Sequence, residues 1–250
     1  MKKLYLAVLL LTCNLSAQEV YANFFVKAHE EATLAFHAGG TIKKIDADVS
    51  SRVKRGTPLA ELFNEDSRAL MGIAKAEVDK AEVALKYAQR DFEREQKVKH
   101  LVDEARFDTF ALAYESAKTS LQSAKANLSY REALYKKTTL YAPFDGIIYE
   151  KNAEVGDVVT EMSPKSVFKI QSQDRRKLIL EFDQKYWSIV KVGQTFNYKI
   201  DGDASEHSGV ISKIYPHVNE QNRKLIAEVE VREFLVGLFG DGYILTETKK

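Results

Sequence analysis

The middle of the chain has a regular spacing of apolar positions. From residue 66 to residue 137 there is no proline and one glycine, and apolar side chains recur at alternating steps of three and four. This spacing is the pattern of a coiled-coil seam, and the positions between are mostly charged or polar. The first seam comprises Met71, Ala74, Val78, Ala81, Leu85, Ala88 and Phe92, and the second comprises Phe107, Phe110, Tyr114, Ala117, Leu121, Ala124 and Leu128.

The two seams are separated by a break in phase near residues 97–103, where Asp103 is a suitable helix N-cap. Two helices joined by a short loop run antiparallel. Each would have about 35 residues and project roughly 50 Å. A helix pair inside a globular bundle is the alternative. The apolar side chains of each helix form one narrow stripe. Because a single partner helix can cover that stripe, the pattern favours a free-standing antiparallel coiled-coil α-hairpin.

An internal repeat flanks this hairpin. At a constant offset of 106 residues, as from Gly40 to Gly146, six identities align without gaps. They pair Gly40 with Gly146, Ile42 with Ile148, Ala47 with Ala153, Val49 with Val155, Val53 with Val159, and Pro58 with Pro164. Each copy predicts short strands separated by turns and a last strand, at residues 59–63 and 167–170. The predicted turn positions are Gly40, Gly56, Gly146 and Gly156.

The C-terminal part has short runs with strand character, separated by turn residues. Several short antiparallel strands with one helix are typical of a small β-barrel. A strand at residues 23–28 would join this barrel from the other end of the chain. The predicted C-terminal strands are residues 178–182, 195–200, 209–215, 225–231 and 243–246, and a short helix is predicted at 183–190.

The first 22 residues have the order of features of an export signal. Two lysines precede an apolar run at residues 4–11, and small residues mark cleavage sites after Ala17 and Ala22. The run is shorter than the roughly 20 residues that span a bilayer. A buried first strand is one alternative. Another is a lipid anchor on Cys13, because residues 10–13 weakly resemble a lipobox.

Charge and composition argue against several classes of protein. The 37 basic residues are balanced by 36 acidic ones, which gives no chain-wide basic surface for nucleic acid. One cysteine excludes an internal disulfide framework and a cysteine-based zinc site. The five histidines form no i, i+4 pair, and no Walker or Gly-x-Ser-x-Gly motif occurs. We therefore expect no enzyme activity, no metal site and no cofactor.

The two half-motifs resemble the halves of a biotinyl/lipoyl domain. In carrier proteins of that family, a hairpin between the halves presents a modified lysine. The helices occupy that place here, and no turn carries a Met-Lys-Met or Asp-Lys-Ala signature. A biotin or lipoate carrier is therefore the least favoured function. The predicted fold class is mixed α and β, with the antiparallel coiled-coil α-hairpin inserted in a split lipoyl-like β domain, plus the small β-barrel.

The order of these parts resembles the periplasmic adaptor family, the membrane fusion proteins of the HlyD and resistance-nodulation-division (RND) efflux type. The most specific match is Ala-Pro-Phe-Asp-Gly at residues 142–146, and Ser50 departs from the family by replacing a turn glycine. The implied domains are a signal peptide (1–22), a barrel strand (23–33), a first half lipoyl-like domain (34–65), the hairpin (66–138), a second half (139–171) and the barrel (172–250).

The resemblance implies an adaptor subunit of a tripartite efflux pump. It would lie in the periplasm at the inner membrane, as a homo-oligomeric ring of three or six copies. It would link an inner-membrane RND-type transporter to an outer-membrane TolC-like channel and export drugs or other small molecules. An adaptor for a type I secretion or ABC-type exporter is the alternative. In this family the hairpin tip docks against the channel. Arg94 and Val98 match the first two residues of the family's tip signature in spacing, with valine in place of leucine. Asp103 takes the place of its capping serine, and Leu101 is an alternative apolar contact.

Overall fold

A computed structural model describes residues 18–101, 103–232 and 234–246. Most of the predicted signal peptide and Cys13 lie outside this range. The chain forms two compact units, one from residues up to 31 and from 171 onward, and the other from residues 32–170. Among the described residues, no helix is both long enough and apolar enough to cross a membrane.

The elements of the described residues follow one another in a simple order. They are β1 (Gln18–Ala28), β2 (Glu31–Leu34), β3 (Gly40–Ile45), β4 (Arg52–Val53), β5 (Pro58–Leu62), α1 (Glu65–Lys97), a 3₁₀ turn (Lys99–Leu101), α2 (Glu104–Lys136), β6 (Thr139–Tyr141), β7 (Gly146–Lys151), β8 (Val158–Val159), β9 (Phe168–Ser172), β10 (Arg176–Asp183), a second 3₁₀ turn (Gln184–Tyr186), β11 (Thr195–Ile200), β12 (His207–Asn219), β13 (Lys224–Val231) and β14 (Phe239–Thr246).

Six strands of the first unit close into an antiparallel barrel in the order β1-β10-β13-β12-β11-β14. Side chains alternate between the two faces of a strand, so β1 directs Val20, Ala22, Phe24 and Val26 into the barrel core and leaves Tyr21 exposed. The predicted fold class of mixed α and β with a small β-barrel is therefore confirmed.

Two boundaries in the barrel differ from the sequence prediction. Strand β1 begins at Gln18 rather than at residue 23, because residues 18–22 pair with β14 from Gln18 opposite Thr246 to Ala22 opposite Gly242. The short helix predicted at residues 183–190 is reduced to a 3₁₀ helix of three residues, Gln184–Tyr186. The chain after it buries Val190 in the barrel core.

The β part of the second unit consists of two four-stranded sheets, β2-β9-β7-β4 and β6-β5-β3-β8. The arrangement of the two sheets follows the internal repeat. Each half contributes its two-residue strand to the sheet of the other half, so Val53 pairs with Gly146 and Val159 pairs with Gly40. Ile42 and Ile148, which the repeat equates, are both fully buried. The repeat thus marks two halves of one fold that are related by an approximate twofold.

The predicted glycine turns divide into two kinds. Gly56 and Gly156 have φ of 80° and 95°, which favour glycine, and both lie in turns as predicted. Gly146 is not in a turn, because it begins β7, is buried and pairs with β4. Gly40 likewise begins β3. At these two positions the glycine follows a turn and enters the strand.

Helices α1 and α2 have 33 residues each and pack antiparallel. The ring of Phe92 lies 5.6 Å from that of Phe107, and Glu82 pairs with Lys125 at 3.0 Å. Every predicted seam position is buried or half-buried, including Val78, Leu85, Phe92, Phe110, Leu121 and Leu128, whereas most other helix positions are exposed. The supercoiling of a coiled coil stays a prediction.

Candidate docking site at the helix tip

The tip consists of the end of α1, a 3₁₀ turn and the start of α2. Val98 is the C-cap that follows α1, and its N–H donates to the Glu95 carbonyl at 3.1 Å. Leu101 N–H then donates to the Val98 carbonyl at 2.8 Å. These bonds hold the turn in a compact form, and residues 98–101 are all exposed.

Two of the predicted docking side chains are apolar and face solvent. Val98 is 38% exposed and Leu101 is 74% exposed. An exposed leucine at the end of a long helix pair contributes little to a core, and apolar residues of this kind form the centres of protein interfaces. Their exposure leaves this apolar surface available to a partner.

The two charged tip residues differ from the sequence prediction in detail. Arg94 forms an ion pair with Asp91 one turn earlier on α1, so its guanidinium already has an acidic neighbour. Asp103 is the N-cap of α2 with an extended backbone, but its carboxylate makes no capping hydrogen bond. Its carbonyl instead accepts hydrogen bonds from the N–H groups of Arg106 and Phe107, at 3.1 and 3.2 Å.

A polar pair that sequence reasoning missed lies just inside the tip. Glu95 is buried, and its Oε1 accepts a hydrogen bond from Arg106 Nη2 at 2.7 Å. Its Oε2 is buried without a hydrogen-bond partner. Glu95 follows Phe92 by three residues, which is the next seam position, so the heptad spacing could have revealed it. A polar residue at a seam position fixes which residues face each other.

Aromatic rings of both helices pack next to the Glu95–Arg106 pair. Phe92 stacks on Tyr114 with ring centroids 5.3 Å apart, and Lys99 lies over the ring of Phe107 at 4.4 Å. Aromatic pairs add stability beyond the area that they bury. The tip therefore rests on a packed aromatic layer. No group of three potential metal ligands occurs among the described residues.

Comparisons with known proteins agree with this architecture. No family model matches the chain. It is 23% identical to the multidrug export protein EmrA of Haemophilus influenzae, over 85% of this chain and 70% of that protein. It is 26% identical to the cobalt-zinc-cadmium resistance protein CzcB of Cupriavidus metallidurans, over 76% of this chain and 37% of that protein. The chain thus spans about two thirds of one curated relative and much less of another.

Solved structures share the fold. A MacA–MexA chimera that contains the Pseudomonas aeruginosa MexA α-hairpin domain matches with a TM-score of 0.71 and 19% identity, over 92% of this chain and 82% of that one. The membrane fusion protein Spr0693 of Streptococcus pneumoniae matches with a TM-score of 0.71 and 16% identity, over 92% of this chain and all of that one. The chain is thus a relative of the membrane fusion proteins, the periplasmic adaptors of the HlyD family, and has their fold.

Proposed function

We propose that this protein is the periplasmic adaptor of a tripartite efflux pump, linking an inner-membrane RND-type transporter to an outer-membrane TolC-like channel. The observation that carries the proposal is the tip: exposed Val98 and Leu101 at the end of two paired helices of 33 residues. At 1.5 Å per residue such helices reach roughly 50 Å from their base. A helix pair of that length suits contact with a partner protein far from the β units.

The mechanism of such an adaptor is mechanical. The β units would bind the transporter, the helices would wind as a coiled coil toward the channel, and three or six copies would form a ring around the exported molecule. The names of the relatives support this proposal, since they include multidrug export and metal resistance proteins. Their substrates suggest drugs or other small molecules as the cargo.

The docking role of the tip can be tested with Val98→Asp, Leu101→Asp and Arg94→Asp. Each places an acid at the proposed interface, where an unpaired charge is costly to bury. We expect normal expression and melting, loss of drug tolerance in cells, and loss of crosslinking to the outer-membrane channel.

The matched control is Val83→Asp, which puts the same charge on an exposed side chain in the middle of α1. We expect this control to crosslink and to protect cells as the wild type does. If the tip variants also behave like the wild type, the tip is not the docking surface. Purification of the crosslinked complex identifies the transporter, which distinguishes an RND pump from an ABC-type exporter.

A further inference from the structure

Glu95 is the most deeply buried side chain in the outer half of the helix pair. It is 8% exposed, whereas the nearest aromatic seam residues, Phe92 and Phe107, are only half-buried. The other buried residues of α1 are Ala74 and Val78, and no described residue of α2 is buried. A carboxylate therefore occupies a position for which the seam pattern predicts an apolar side chain.

The seam positions nearest the tip carry charges instead of apolar side chains. After Phe92 they are Glu95 and Lys99 on α1, and before Phe107 the seam position is Asp103. Lys99 lies over the ring of Phe107 at 4.4 Å, and the Asp103 carboxylate makes no capping bond. At this end the two helices are joined by a polar contact, the 2.7 Å bond from Arg106 Nη2 to the carboxylate of Glu95.

The main chain of both bonded residues holds the docking residues. The Glu95 carbonyl accepts a hydrogen bond from the Val98 N–H at 3.1 Å, and the Val98 carbonyl accepts one from the Leu101 N–H at 2.8 Å. On the other helix, the Asp103 carbonyl accepts a hydrogen bond from the Arg106 N–H at 3.1 Å. The side-chain bond between Glu95 and Arg106 closes these contacts into a ring. That ring contains three of the four proposed docking residues, Val98, Leu101 and Asp103.

The chemistry of the Glu95–Arg106 pair suits positioning better than stabilisation. Oε2 of Glu95 is buried without a hydrogen-bond partner among the described residues, and burying an unpartnered carboxylate oxygen is costly. The side chain of Arg106 is 62% exposed, so water screens its charge. Leucine at position 95 would avoid the cost of the buried charge. A charge-assisted hydrogen bond, however, is directional, and it allows fewer arrangements of the two helix ends than an apolar contact does.

We propose that Glu95 and Arg106 are positioning residues for docking. Their bond holds the last turn of α1 against the first turn of α2, and it thereby fixes the spacing of the docking residues that meet the outer-membrane channel. Neither side chain needs to touch the channel. This inference rests on the proposed function and deepens it, because it names the contact that sets the geometry of the docking surface.

Glu95→Leu tests the proposal, because it removes the bond and leaves an apolar side chain in the seam. Amide hydrogen exchange of the purified protein should become roughly tenfold faster at Leu101 and Phe107, since a hydrogen bond to a charged group is lost. Amides in the middle of α1 should exchange as in the wild type, and the helices should melt at the wild-type temperature or above it. Crosslinking to the channel in cells should fall severalfold, because a tip with several spacings is no longer preorganised for its partner.

Two further variants separate positioning from stability. Glu95→Gln is conservative, because its amide oxygen can still accept a hydrogen bond from Arg106, and it should restore most of the tip protection and of the crosslinking. Glu82→Leu is the matched control. It removes the 3.0 Å ion pair between Glu82 and Lys125 in the middle of the helices, and it should change neither exchange at the tip nor crosslinking.

Three results would overturn the proposal. Faster exchange at the tip of the Glu95→Leu protein with normal crosslinking would reduce the pair to a structural contact. Lost crosslinking with unchanged exchange would mean that Glu95 itself touches the channel. An equal effect of Glu82→Leu would show that any ion pair between the helices serves as well. A wild-type protein that does not crosslink would instead disprove the proposed function, and the positioning role with it, while the exchange measurement, which needs no partner, would still show whether the bond holds the tip.

Discussion

Residue identity matters most at backbone positions with positive φ, which glycine adopts at lower cost than other residues. Ser50 has φ of 70°, whereas its equivalent in the second half of the repeat, Gly156, has φ of 95°. Their backbone contacts are also equivalent: the Ser50 N–H donates to Ile148 and the Gly156 N–H donates to Ile42, at 2.8 and 2.9 Å. The fold therefore imposes the same turn on a serine and on a glycine.

This pair makes a reciprocal prediction. Ser50→Gly removes the steric cost of a left-handed conformation and should stabilise the protein by up to about 1 kcal/mol. Gly156→Ser introduces that cost and should destabilise it by about 1 kcal/mol. No atom lies within 4 Å of a Cβ built at Gly156, so the backbone alone determines its effect. Urea unfolding of both variants measures the difference, and shifts of the same sign would contradict the argument.

A second residue prediction concerns close approach of strands. A Cβ added to Gly242 in β14 would lie 2.7 Å from Tyr198 Cα and closer still to the Asn197 carbonyl oxygen. Gly242→Ala must push β11 and β14 apart, and should cost about 3 kcal/mol. Gly72→Ala is the control, because a Cβ there meets no atom within 4 Å and alanine favours the helix by about 1 kcal/mol. Thermal melting should shift in opposite directions.

At the scale of elements, the helix pair depends on its seam. Leu85 is half-buried between α1 and α2. Leu85→Asp puts a charge into this contact and should destabilise the helices by roughly 2–3 kcal/mol. Circular dichroism should show early loss of helix while the β signal persists. Val83→Asp, two positions away on the exposed side, should melt like the wild type, and equal melting of both variants would refute the seam assignment.

Strand β1 allows a choice between the two predicted cleavage sites. Cleavage after Ala22 would remove Val20 and Ala22, which are fully buried, and the pairing of residues 18–22 with β14. We therefore predict that the mature protein begins at Gln18. Mass spectrometry of the exported protein checks this. A mature chain that begins at Asn23 and melts normally would show that the first half of β1 is dispensable.

At the scale of the whole molecule, the helix pair is an insertion whose ends meet. The Leu62 N–H donates to the Thr138 carbonyl at 2.9 Å, and Asn64 Nδ2 donates to Thr138 Oγ1 at 3.4 Å. Asn64 is buried at this base. Since β5 and β6, the strands on either side of the helices, pair directly with each other, the β part and the helices should fold separately.

This geometry predicts the result of an excision. Replacing residues 65–136 by a short Gly/Ser linker should leave the β sheets folded, because the linker spans only the short gap between the two helix bases. Export and crosslinking to the channel should be lost completely. Near-ultraviolet circular dichroism and limited proteolysis follow the β part, and its collapse on excision would show that the sheets need the helices.

The sequence alone determined the parts of this protein and their order. Heptad spacing predicted α1 and α2 and their seam positions, because it records a local periodicity. The repeat predicted short strands on both sides of the helices, with last strands at residues 59–63 and 167–170 that lie close to β5 and β9. The repeat also pairs Leu34 with Leu140 at the same offset of 106 residues. This identity lies before Gly40, where the alignment began, and both residues are buried.

Only the tertiary structure decided which elements pair. The exchange of β4 and β8 between the halves, the extension of β1 to Gln18 and the strand position of Gly146 all depend on partners far away in the chain. The same is true of residues 183–194, where a 3₁₀ helix of three residues forms in place of a longer one, Val190 is buried in the barrel and Trp187 is exposed. Local pattern reports which face of an element is apolar, whereas the identity of its partner is set by packing across the whole fold.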